Sequence, residues 1–325
     1  MRTGILGVGK YLPENILTNA DLERMVDTTD EWITTRTGIK ERRIAADNEA
    51  TSDMAVKAAK DALNNADLKP DDIDLIIVAT ITPDMFFPST ACIVQDKLGA
   101  RNVPAFDIAV ACSGFIYGLA IADQFIRGGA YKNALVVAAE KLSAVTDWED
   151  RSTCILFGDG AGAAILGPVE KGGILGASLG ADGSKGDLLQ LPAGGSRMPA
   201  SIKTVENKLH TIKMEGNVLF KYAVKIMADA ALAVTEPLGL KGDDIDIIIP
   251  HQANARILNA LAKKMGVDPH KKVYLNISKY GNMSAASSAV ALTEAVEEGR
   301  IKKGDTILMD AFGGGLTWGA LVIEW

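Results

Sequence analysis

The stretch "LKPDDIDLII", residues 68–77, returns almost unchanged as "LKGDDIDIII", residues 240–249, with eight identical positions in ten. In both places an Ala-rich segment with a helical pattern comes first, at 53–66 and 223–235, and an apolar strand follows a short turn. The similarity extends further, since each copy continues with a strand, a helix that ends at glycine and another apolar strand. The sequence therefore predicts an internal duplication.

The predicted strands are continuous apolar runs that alternate with helices, such as "NALVVAAE" in the first copy and "DTILMDAFG" in the second. Runs of this kind are typical of parallel-rich sheets that are buried on both faces. We therefore predict an α/β fold of two related halves, residues 1–170 and 171–325, packed as one body. Open α/β sheets bind ligands beyond the carboxyl ends of their strands, so we expect the chemistry there.

The composition of the 325-residue chain, with 48% hydrophobic residues and a net charge of −7, is that of an ordinary globular protein. The acidic balance argues against a nucleic-acid partner, which would need concentrated Lys and Arg. The first residues are too interrupted for a signal segment, and no apolar run approaches the roughly 20 residues of a membrane helix. Three cysteines without metal-ligand or CxxC spacing fit a reducing cytoplasm.

Cys112 lies in "FDIAVACSGFIYGLAIADQFI", residues 106–126, between an apolar run and a helix. The helix is predicted from apolar residues at helical spacing, Phe115, Leu119, Ala122 and Ile126. Because unpaired N–H groups and the helix dipole stabilise a thiolate at a helix N-terminus, we expect a lowered pKa for the Cys112 thiol. The alternative is a small buried hydrophobic residue, the role we predict for Cys92, in a helix, and Cys154, in a strand.

His251 and Asn282 stand at comparable places. His251 directly follows the buried-type strand "IDIIIP", whereas His210 and His270 lie in polar stretches where solvent exposure is expected. Asn282 follows the predicted strand "VYLNI" and precedes an Ala-rich helix. The duplication therefore places Asn282 close to the position that Cys112 has in the first half. Taken alone, each residue has a structural alternative: His251 as a side chain that satisfies a local hydrogen bond, and Asn282 as a turn residue. Together, the three side chains at strand carboxyl ends predict one active site.

Four segments, "ACSGF", "PHQAN", "YGN" and "FGGGLTWG", resemble the signatures of the β-ketoacyl-acyl-carrier-protein synthase III family, in the same order and across essentially the whole chain. The resemblance implies a thiolase-like fold with the layers α/β/α/β/α. It also implies a cytoplasmic condensing acyltransferase that starts fatty-acid synthesis from a short acyl-CoA and malonyl-acyl-carrier protein, without a metal or other cofactor. On this resemblance Cys112 carries the acyl group, and His251 and Asn282 hold the malonyl thioester oxygen. Backbone N–H groups of Cys112 and Gly315 would hold the other oxyanion.

The resemblance also implies where the substrates bind. Trp32 and Arg36, four apart and so on one helix face, match a coenzyme A site in which they flank the adenine, and Arg151 matches a further contact. The positions that line the pantetheine tunnel are matched by Phe220, Ala223 and Asn254. The acyl pocket is matched by Phe87, which would reach it from the second subunit of a homodimer, and by Leu316. Phenylalanine is frequent in the family at the position of Leu316, so the resemblance does not predict which acyl chain the pocket prefers.

A basic helix face in "ARILNALAKKMG" is the candidate dock for the acidic acyl-carrier protein. The pattern places its basic residues on one side of the helix and its apolar residues, Ile257, Leu258, Leu261 and Met265, on another. The predicted dock consists of Arg256, Lys263, Lys264, Lys221, Gln252 and Ala253. An ordinary solvated face is the alternative.

Other members of the thiolase-like superfamily fit the sequence less well. Elongating synthases use Cys-His-His, thiolases need a second cysteine in the C-terminal glycine loop, and the hydroxymethylglutaryl-CoA synthase type needs a catalytic glutamate. Plant-type polyketide synthases share Cys-His-Asn and are the nearest alternative. From other classes, a cysteine hydrolase would release a free acid, and a non-catalytic relative would not become acylated.

Overall fold

The computed structural model describes residues 2–325, which form two main sheets with helices around and between them. The strands are β1 (Arg2–Tyr11), β2 (Asn15–Thr18), β3 (Glu41–Ile44), β4 (Leu75–Ala79), β5 (Ala105–Ile108), β6 (Ala134–Lys141), β7 (Asp159–Val169), β8 (Gly173–Ala181), β9 (Leu189–Gln190), β10 (Lys213–Met214), β11 (Ile247–Pro250), β12 (Thr306–Gly313) and β13 (Thr317–Glu324). The helices are α1 (Asn19–Glu23), α2 (Asp30–Thr37), α3 (Thr51–Asn65), α4 (Thr90–Leu98), α5 (Gly114–Arg127), α6 (Arg151–Cys154), α7 (Ile202–Glu206), α8 (Gly216–Thr235), α9 (Ala255–Lys264), α10 (Pro269–Lys272), α11 (Ile277–Tyr280) and α12 (Ala285–Glu297).

The two main sheets repeat one topology. The first runs in the order β1-β7-β6-β4-β5, and the second in the order β8-β13-β12-β11. In the first sheet β4 is parallel to β5 and β6, and β7 is antiparallel to β6 and β1. The second sheet has the same directions, and Val273 pairs in parallel with Ile248 at the place that β5 occupies in the first. The duplication in the sequence is therefore confirmed as a repeated sheet.

The helices form three layers around these sheets. Helices α3 and α4 pack on the outer face of the first sheet, and α8 and α9 pack on the outer face of the second. Helices α5 and α12 lie between the sheets, where Phe115 and Leu119 share one buried cluster with Ala289 and Leu292. Each helix contributes an apolar face to a sheet that needs cover on both sides, which gives the predicted α/β/α/β/α order.

The two central helices meet closely at their first residues. A Cβ at Gly114, the first residue of α5, would lie 2.8 Å from the Cβ of Ala79 and 3.2 Å from the Cβ of Ala285, the first residue of α12. Glycine therefore lets the N-termini of α5 and α12 approach each other and the end of β4. This approach brings the segments that precede the two helices, 110–113 and 282–284, to one place in the middle of the molecule.

Three local predictions were wrong. The predicted strand "VYLNI" contributes only the single bridge of Val273, and its last residue begins the short helix α11. Cys154 ends the short helix α6 and does not lie in a strand, although it is buried as expected. Cys92 lies in helix α4 as expected, but its side chain is exposed. The boundary between residues 170 and 171 falls between β7 and β8 and stays a prediction as a domain division.

Within residues 2–325, no helix has both the length and the apolar character that crossing a bilayer requires.

Candidate active site

Cys112 lies where the chain leaves β5 and enters α5. A 3-10 turn, Ala111–Ser113, connects the two, and Ala111 takes the unusual φ of 45° for a residue with a side chain. The hydroxyl of Thr317 donates to the carbonyl of Val110 at 3.0 Å and lies 3.3 Å from the hydroxyl of Ser113. The start of β13 in the second half therefore holds the turn that presents the cysteine.

The glycine loop after β12 comes directly against the nucleophile. A Cβ at Gly313 would lie 2.6 Å from the backbone nitrogen of Cys112, so only glycine fits this approach. Gly315, which the sequence suggested as an oxyanion donor, is exposed, and a Cβ there would meet Thr317 of its own loop. The glycine that touches Cys112 is thus Gly313, and the oxyanion role of Gly315 stays a prediction.

His251 follows β11 directly and is buried. Its backbone N–H donates to the carbonyl of Asp310 at 2.7 Å, which ties it to the neighbouring strand β12. Burial lowers the pKa of the imidazole to about 4, and a hydrogen bond with the backbone of Ser284 opposes this shift only in part. The imidazole is therefore neutral at pH 7, and Nδ1 has no hydrogen-bond partner among the described residues.

Asn282 is fixed by its backbone and by one end of its amide. Its N–H donates to the carbonyl of Leu156 at 2.9 Å, and its carbonyl accepts from Gly158 at 3.0 Å. The amide oxygen Oδ1 accepts from the backbone N–H of Ser284 at 2.8 Å. Because that bond uses the oxygen, the amide is oriented with its NH₂ group as the free end, which is a hydrogen-bond donor.

Ser284 is the residue that the three predicted side chains share. Its backbone contacts Asn282 and His251, and its side chain lies close enough to the Cys112 thiol to lower the pKa of that thiol. Its φ of 49° and ψ of −129° lie in a region that residues with a Cβ rarely adopt. Cys112, His251 and Asn282 therefore meet around Ser284 at one buried centre.

The protonation state of Cys112 differs from the expectation. Burial raises the pKa of the thiol to about 12, contact with the Ser284 hydroxyl lowers it, and the nearby Glu140 carboxyl raises it. The helix N-terminus was expected to lower the pKa, but loss of contact with water outweighs that effect when no substrate is bound. The resting site therefore holds a neutral thiol beside a neutral imidazole.

The three residues that match a coenzyme A site come together on the surface. The guanidinium carbon of Arg36 lies 5.7 Å from the centroid of the Trp32 ring, and that of Arg151 lies 5.1 Å from it. Trp32 and Arg36 share helix α2, as predicted, and Arg151 begins α6. An indole flanked by two guanidinium groups suits a flat aromatic ring bearing phosphates.

The loop after β11 connects this surface to the buried centre. The side-chain amide of Asn254 donates to the carbonyl of Arg36 at 3.0 Å, and its oxygen caps helix α9 by accepting from Arg256 at 2.9 Å. The N–H of Ala253 donates to the carbonyl of His251 at 2.9 Å. The loop 251–254 therefore joins the backbone of α2, the helix that carries Trp32 and Arg36, to the backbone of His251.

Gln252 does not belong to a docking surface, contrary to the prediction. Its side chain is fully buried, and its amide donates to the carbonyls of Pro250 at 2.9 Å and Tyr274 at 3.1 Å. Its oxygen accepts from the backbone N–H of Asn276 at 3.1 Å. Gln252 therefore holds the loop of His251 against the 274–276 segment.

The other predicted docking and tunnel residues surround helix α9. Arg256, Lys263 and Lys264 are exposed, while Ile257, Leu258, Leu261 and Met265 are buried, so the two predicted faces of the helix are confirmed. Arg256 lies over the ring of Phe220 on α8, 5.1 Å from its centroid. Ala223 is buried one turn further along α8, Lys221 is exposed there, and Ala253 is half-buried.

The two residues predicted for the acyl pocket lie in opposite environments. Leu316 is fully buried in the apolar cluster of the second half. Phe87 is 84% exposed and Phe86 is 81% exposed, on the segment between β4 and α4. Within one chain the structure does not bury Phe87 in any pocket.

Within residues 2–325, no group of three or more His, Cys, Asp and Glu side chains is arranged to hold a metal ion.

Two residues of the centre, Ser284 and Glu140, were not predicted from the sequence, and within the predicted glycine run of residues 313–315 Gly315 was preferred to Gly313. Gly313 stands in the quoted glycine run, and Ser284 comes two residues after Asn282. Glu140 carries the clearest signal, because it is the one charged residue in the strand "NALVVAAE" and falls at its carboxyl end.

Comparison with known proteins agrees with this geometry. Residues 106–183 match the family model described as 3-oxoacyl-[acyl-carrier-protein (ACP)] synthase III, and residues 236–325 match its C-terminal model. The chain is 64% identical over 323 residues to the beta-ketoacyl-[acyl-carrier-protein] synthase III of Caldanaerobacter subterraneus, covering 99% of this chain and 97% of that protein. It is 58% identical over 324 residues to the protein of that name from Clostridioides difficile, covering 100% and 98%.

A solved structure gives the same result in three dimensions. The crystal structure of 3-oxoacyl-[acyl-carrier-protein] synthase III from Aquifex aeolicus is 54% identical, covers 99% of this chain and 100% of its own, and superposes with a TM-score of 0.92. Sequence and structure are thus similar over the whole chain. The chain belongs to the 3-oxoacyl-[acyl-carrier-protein] synthase III family.

Proposed function

We propose that the protein condenses a short acyl-CoA with malonyl-acyl-carrier protein, releasing CoA and CO₂ and forming a β-ketoacyl-acyl-carrier protein. The observation that carries this proposal is the meeting of Cys112, His251 and Asn282 around Ser284 in one buried centre. A thiol nucleophile beside two neutral side-chain donors suits thioester exchange followed by formation of an enolate. The reaction would begin fatty-acid synthesis.

In the first half-reaction, Cys112 attacks the thioester carbonyl of the acyl-CoA and keeps the acyl group. Trp32, Arg36 and Arg151 bind the nucleotide end of coenzyme A at the surface. The position of Asn254 between Arg36 and the His251 loop supports a pantetheine arm that runs inward past it. The close approach of Gly313 to the backbone of Cys112 supports an oxyanion site between the glycine loop and the nucleophile.

In the second half-reaction, malonyl-acyl-carrier protein loses CO₂, and the resulting enolate attacks the acyl-Cys112 thioester. His251 and Asn282 donate hydrogen bonds to the malonyl thioester oxygen, where negative charge develops. The amide of Asn282 is oriented for this role because its oxygen is already bonded to Ser284. A neutral imidazole suits the role because it leaves the proton on the donor and introduces no charge of its own into the buried site.

The test follows each half-reaction by intact mass. Acyl-CoAs from acetyl to medium chain are incubated with the wild type and with the Cys112→Ala variant. We expect one acyl group on the wild type and none on the variant, and malonyl-acyl-carrier protein should then discharge it as a β-ketoacyl product. The Asn282→Ala variant should still become acylated but discharge at least about 100-fold more slowly, since lost oxyanion donors typically cost that much.

Three outcomes would contradict the proposal. Release of free acid without a carbon–carbon bond would indicate a hydrolase. Acylation from an acyl-carrier protein but from no acyl-CoA would indicate an elongating enzyme. No acylation at all would indicate a non-catalytic relative.

The same proposal includes the assembly and the location. We infer a homodimer, which the exposed Phe86 and Phe87 and the unpaired edge of β5 support, since exposed apolar side chains beside a free strand edge suit a partner surface. In that dimer Phe87 would reach the partner's acyl pocket, near Leu316. Three free cysteines suit the cytoplasm. The exposed basic residues of α9, with Lys221, are the proposed dock for the carrier protein.

A further inference from the structure

Arg42 is a fully buried arginine that the proposed reaction does not use. It lies in the short strand β3. Nη1 of its guanidinium donates to the carbonyl of Leu17 at 3.2 Å and to Oδ1 of Asn19 at 2.9 Å, and Nη2 donates to the carbonyl of Ile155 at 2.6 Å. All three of these acceptors are uncharged, so they do not neutralise the guanidinium.

A buried guanidinium that is bonded only to uncharged acceptors is unfavourable, because the charge has lost its contact with water. Burial lowers the pKa of Arg42 to about 10, so the group stays protonated at pH 7. An apolar side chain of similar length, such as methionine, would fill the same space without this cost. The charge at this position therefore points to a use for the hydrogen bonds that it makes.

The bond to Ile155 reaches the segment that holds the backbone of Asn282. The carbonyl of Leu156, the next residue, accepts the N–H of Asn282 at 2.9 Å, and the N–H of Gly158 donates to the carbonyl of Asn282 at 3.0 Å. Between these two bonds, Phe157 forms a parallel bridge with Asn282. The guanidinium thus fixes one end of the segment 155–158, against which Asn282 lies.

The carbon atoms of the Arg42 side chain pack against the same pairing. A Cβ at Gly158 would lie 3.0 Å from the Cβ of Arg42, and a Cβ at Gly281 would lie 3.3 Å from it. Gly158 follows Phe157, and Gly281 precedes Asn282, so Arg42 contacts both chains of the bridge. Its side chain therefore supports the bridge by packing at one end and by hydrogen bonding at the other.

The other hydrogen bonds anchor the guanidinium beside helix α2. Asn19 presents its oxygen to Arg42 because its NH₂ group donates to Oδ1 of Asp30 at 2.7 Å and to the carbonyl of Ile39 at 2.8 Å. Asp30 is the first residue of α2, and Ile39 follows the end of that helix. The guanidinium spans from this anchor to Ile155, and its planar arrangement of donors keeps the direction of both bonds.

We propose that Arg42 is a positioning residue for Asn282. It fixes the segment 155–158, and that segment holds Asn282 where its amide donates to the malonyl thioester oxygen. The proposal rests on the proposed function, in which Asn282 acts only in the second half-reaction. Cys112 lies on a different segment, between β5 and α5. Arg42 should therefore affect the discharge of the acyl group and not its loading onto Cys112.

The test measures the two half-reactions separately in single turnovers. Loading uses saturating acetyl-CoA, or the best donor of the panel, and discharge uses saturating malonyl-acyl-carrier protein. In Arg42→Met we expect discharge to be at least about tenfold slower, because a small displacement of a positioned group costs much of its effect. Loading should not change, since the turn that presents Cys112 is held by Thr317 and not by the segment 155–158.

A double-variant cycle separates positioning from a general structural role. In the Asn282→Ala background the amide is absent, so adding Arg42→Met should slow discharge by about twofold or less, since both changes act through one contact. Arg42→Lys keeps the charge, but a single ammonium cannot span from Asn19 to Ile155. Its discharge rate should lie between those of the wild type and Arg42→Met, and this milder variant replaces Arg42→Met if the latter does not fold.

Leu63→Ala is the control for lost stability, because Leu63 is buried between α3 and the outer face of the first sheet. It should unfold at a lower urea concentration and keep both rates. In the Arg42 variants that fold, an unchanged discharge rate, an equal slowing of both half-reactions, or a slowing that persists in full in the Asn282→Ala background would overturn the positioning role alone. A wild type that no acyl-CoA acylates would overturn the proposed function, and the positioning role with it.

Discussion

At the scale of single residues, the charge of Cys112 is decided by two opposed effects. The start of a helix favours a thiolate, whereas burial favours the neutral thiol, and burial is the larger effect because it raises the pKa of the thiol to about 12. The imidazole of His251 is neutral for the same reason. The centre is therefore uncharged at Cys112 and His251 at pH 7.

This balance predicts how Cys112 reacts with a small alkylating agent. In a Cys92→Ser background, which removes the exposed cysteine, the rate of Cys112 alkylation by iodoacetamide should rise about tenfold per pH unit from pH 8 to 10. The thiolate fraction grows by that factor below the pKa of the thiol. Mass spectrometry of the peptide that contains Cys112 measures the rate. A plateau below pH 9 would show that the helix N-terminus outweighs burial.

The sequence indicated Cys112 and His251 because each follows an apolar run at the end of a strand, whereas Asn282, which follows the short helix α11, was found through the duplication. The docking role predicted for Gln252 was wrong, because a glutamine next to a basic helix is typical of a surface and this one is buried. Only the tertiary structure shows that the 274–276 segment covers it. Ser284 was missed because its backbone contacts with Asn282 and His251 form only in the folded chain.

At the scale of secondary-structure elements, α9 shows what a local pattern can predict. Its buried and exposed faces follow from helical spacing alone, since a helix turns by a fixed angle per residue. Whether the exposed face binds a partner depends on that partner's charge, which is outside the sequence of this chain.

Reversing the charge of that face tests the dock. In the double variant Lys263→Glu with Lys264→Glu we expect the KM for malonyl-acyl-carrier protein to rise about tenfold, because like charges repel at the contact. The rate of acylation by acyl-CoA should not change, and the difference in KM should shrink as salt is added. Steady-state kinetics with each substrate measures both.

Lys60→Glu serves as the control, because Lys60 is exposed on α3, on the outer face of the other sheet. Its KM for malonyl-acyl-carrier protein should match the wild type. An equal effect of both changes would show only a response to net charge, and no effect of the α9 variant would remove the dock from that face.

The predicted strand "VYLNI" illustrates why strands are harder to predict than helices. The letters suit a strand, but a strand also needs a neighbour to pair with, and only Val273 finds one in Ile248. The Tyr274 carbonyl is taken up by the Gln252 amide, and the Asn276 N–H by the Gln252 oxygen. The side chain of Gln252 thus supplies hydrogen bonds that a neighbouring strand would otherwise supply.

At the scale of the whole molecule, Asp310 shows a cost of burial that depends on pH. It lies in β12 between two strands, fully buried, and neither carboxyl oxygen has a partner among the described residues. Burial raises its pKa well above the usual value. The folded protein therefore binds a proton at this site that the unfolded chain releases above about pH 4. The contribution of Asp310 to stability is lost as the pH rises through the folded pKa.

The Asp310→Asn variant should remove that dependence. Its free energy of unfolding, measured by urea denaturation, should increase relative to that of the wild type as the pH rises from 5 to 9. The reason is that asparagine has nothing to deprotonate. Parallel stability curves for the two proteins across this range would show that Asp310 does not titrate in the folded state.

The exposed phenylalanines predict the oligomeric state. Sedimentation should show a dimer for the wild type and mainly monomer for the double variant Phe86→Ser with Phe87→Ser, because the change removes apolar area from the proposed interface. Ile202→Ser changes a residue that is 79% exposed on α7 and should leave the dimer intact. A monomeric wild type, or a dimer that survives the double variant, would contradict the assignment.

Most of the architecture followed from the repeated decapeptide, because two copies of one pattern predict two copies of one sheet. The order of strands within each sheet did not follow, since pairing depends on contacts between segments distant in the chain. The meeting of α5 and α12 was also beyond the sequence, although it is what assembles the site.

The duplicated chain no longer uses its two copies in the same way. One copy contributes Cys112 and the other contributes His251 and Asn282, all within a single polypeptide. In genetic terms, alleles damaged at Cys112 and at Asn282 should fail to complement each other, because neither chain would carry an intact set, alone or in the proposed dimer.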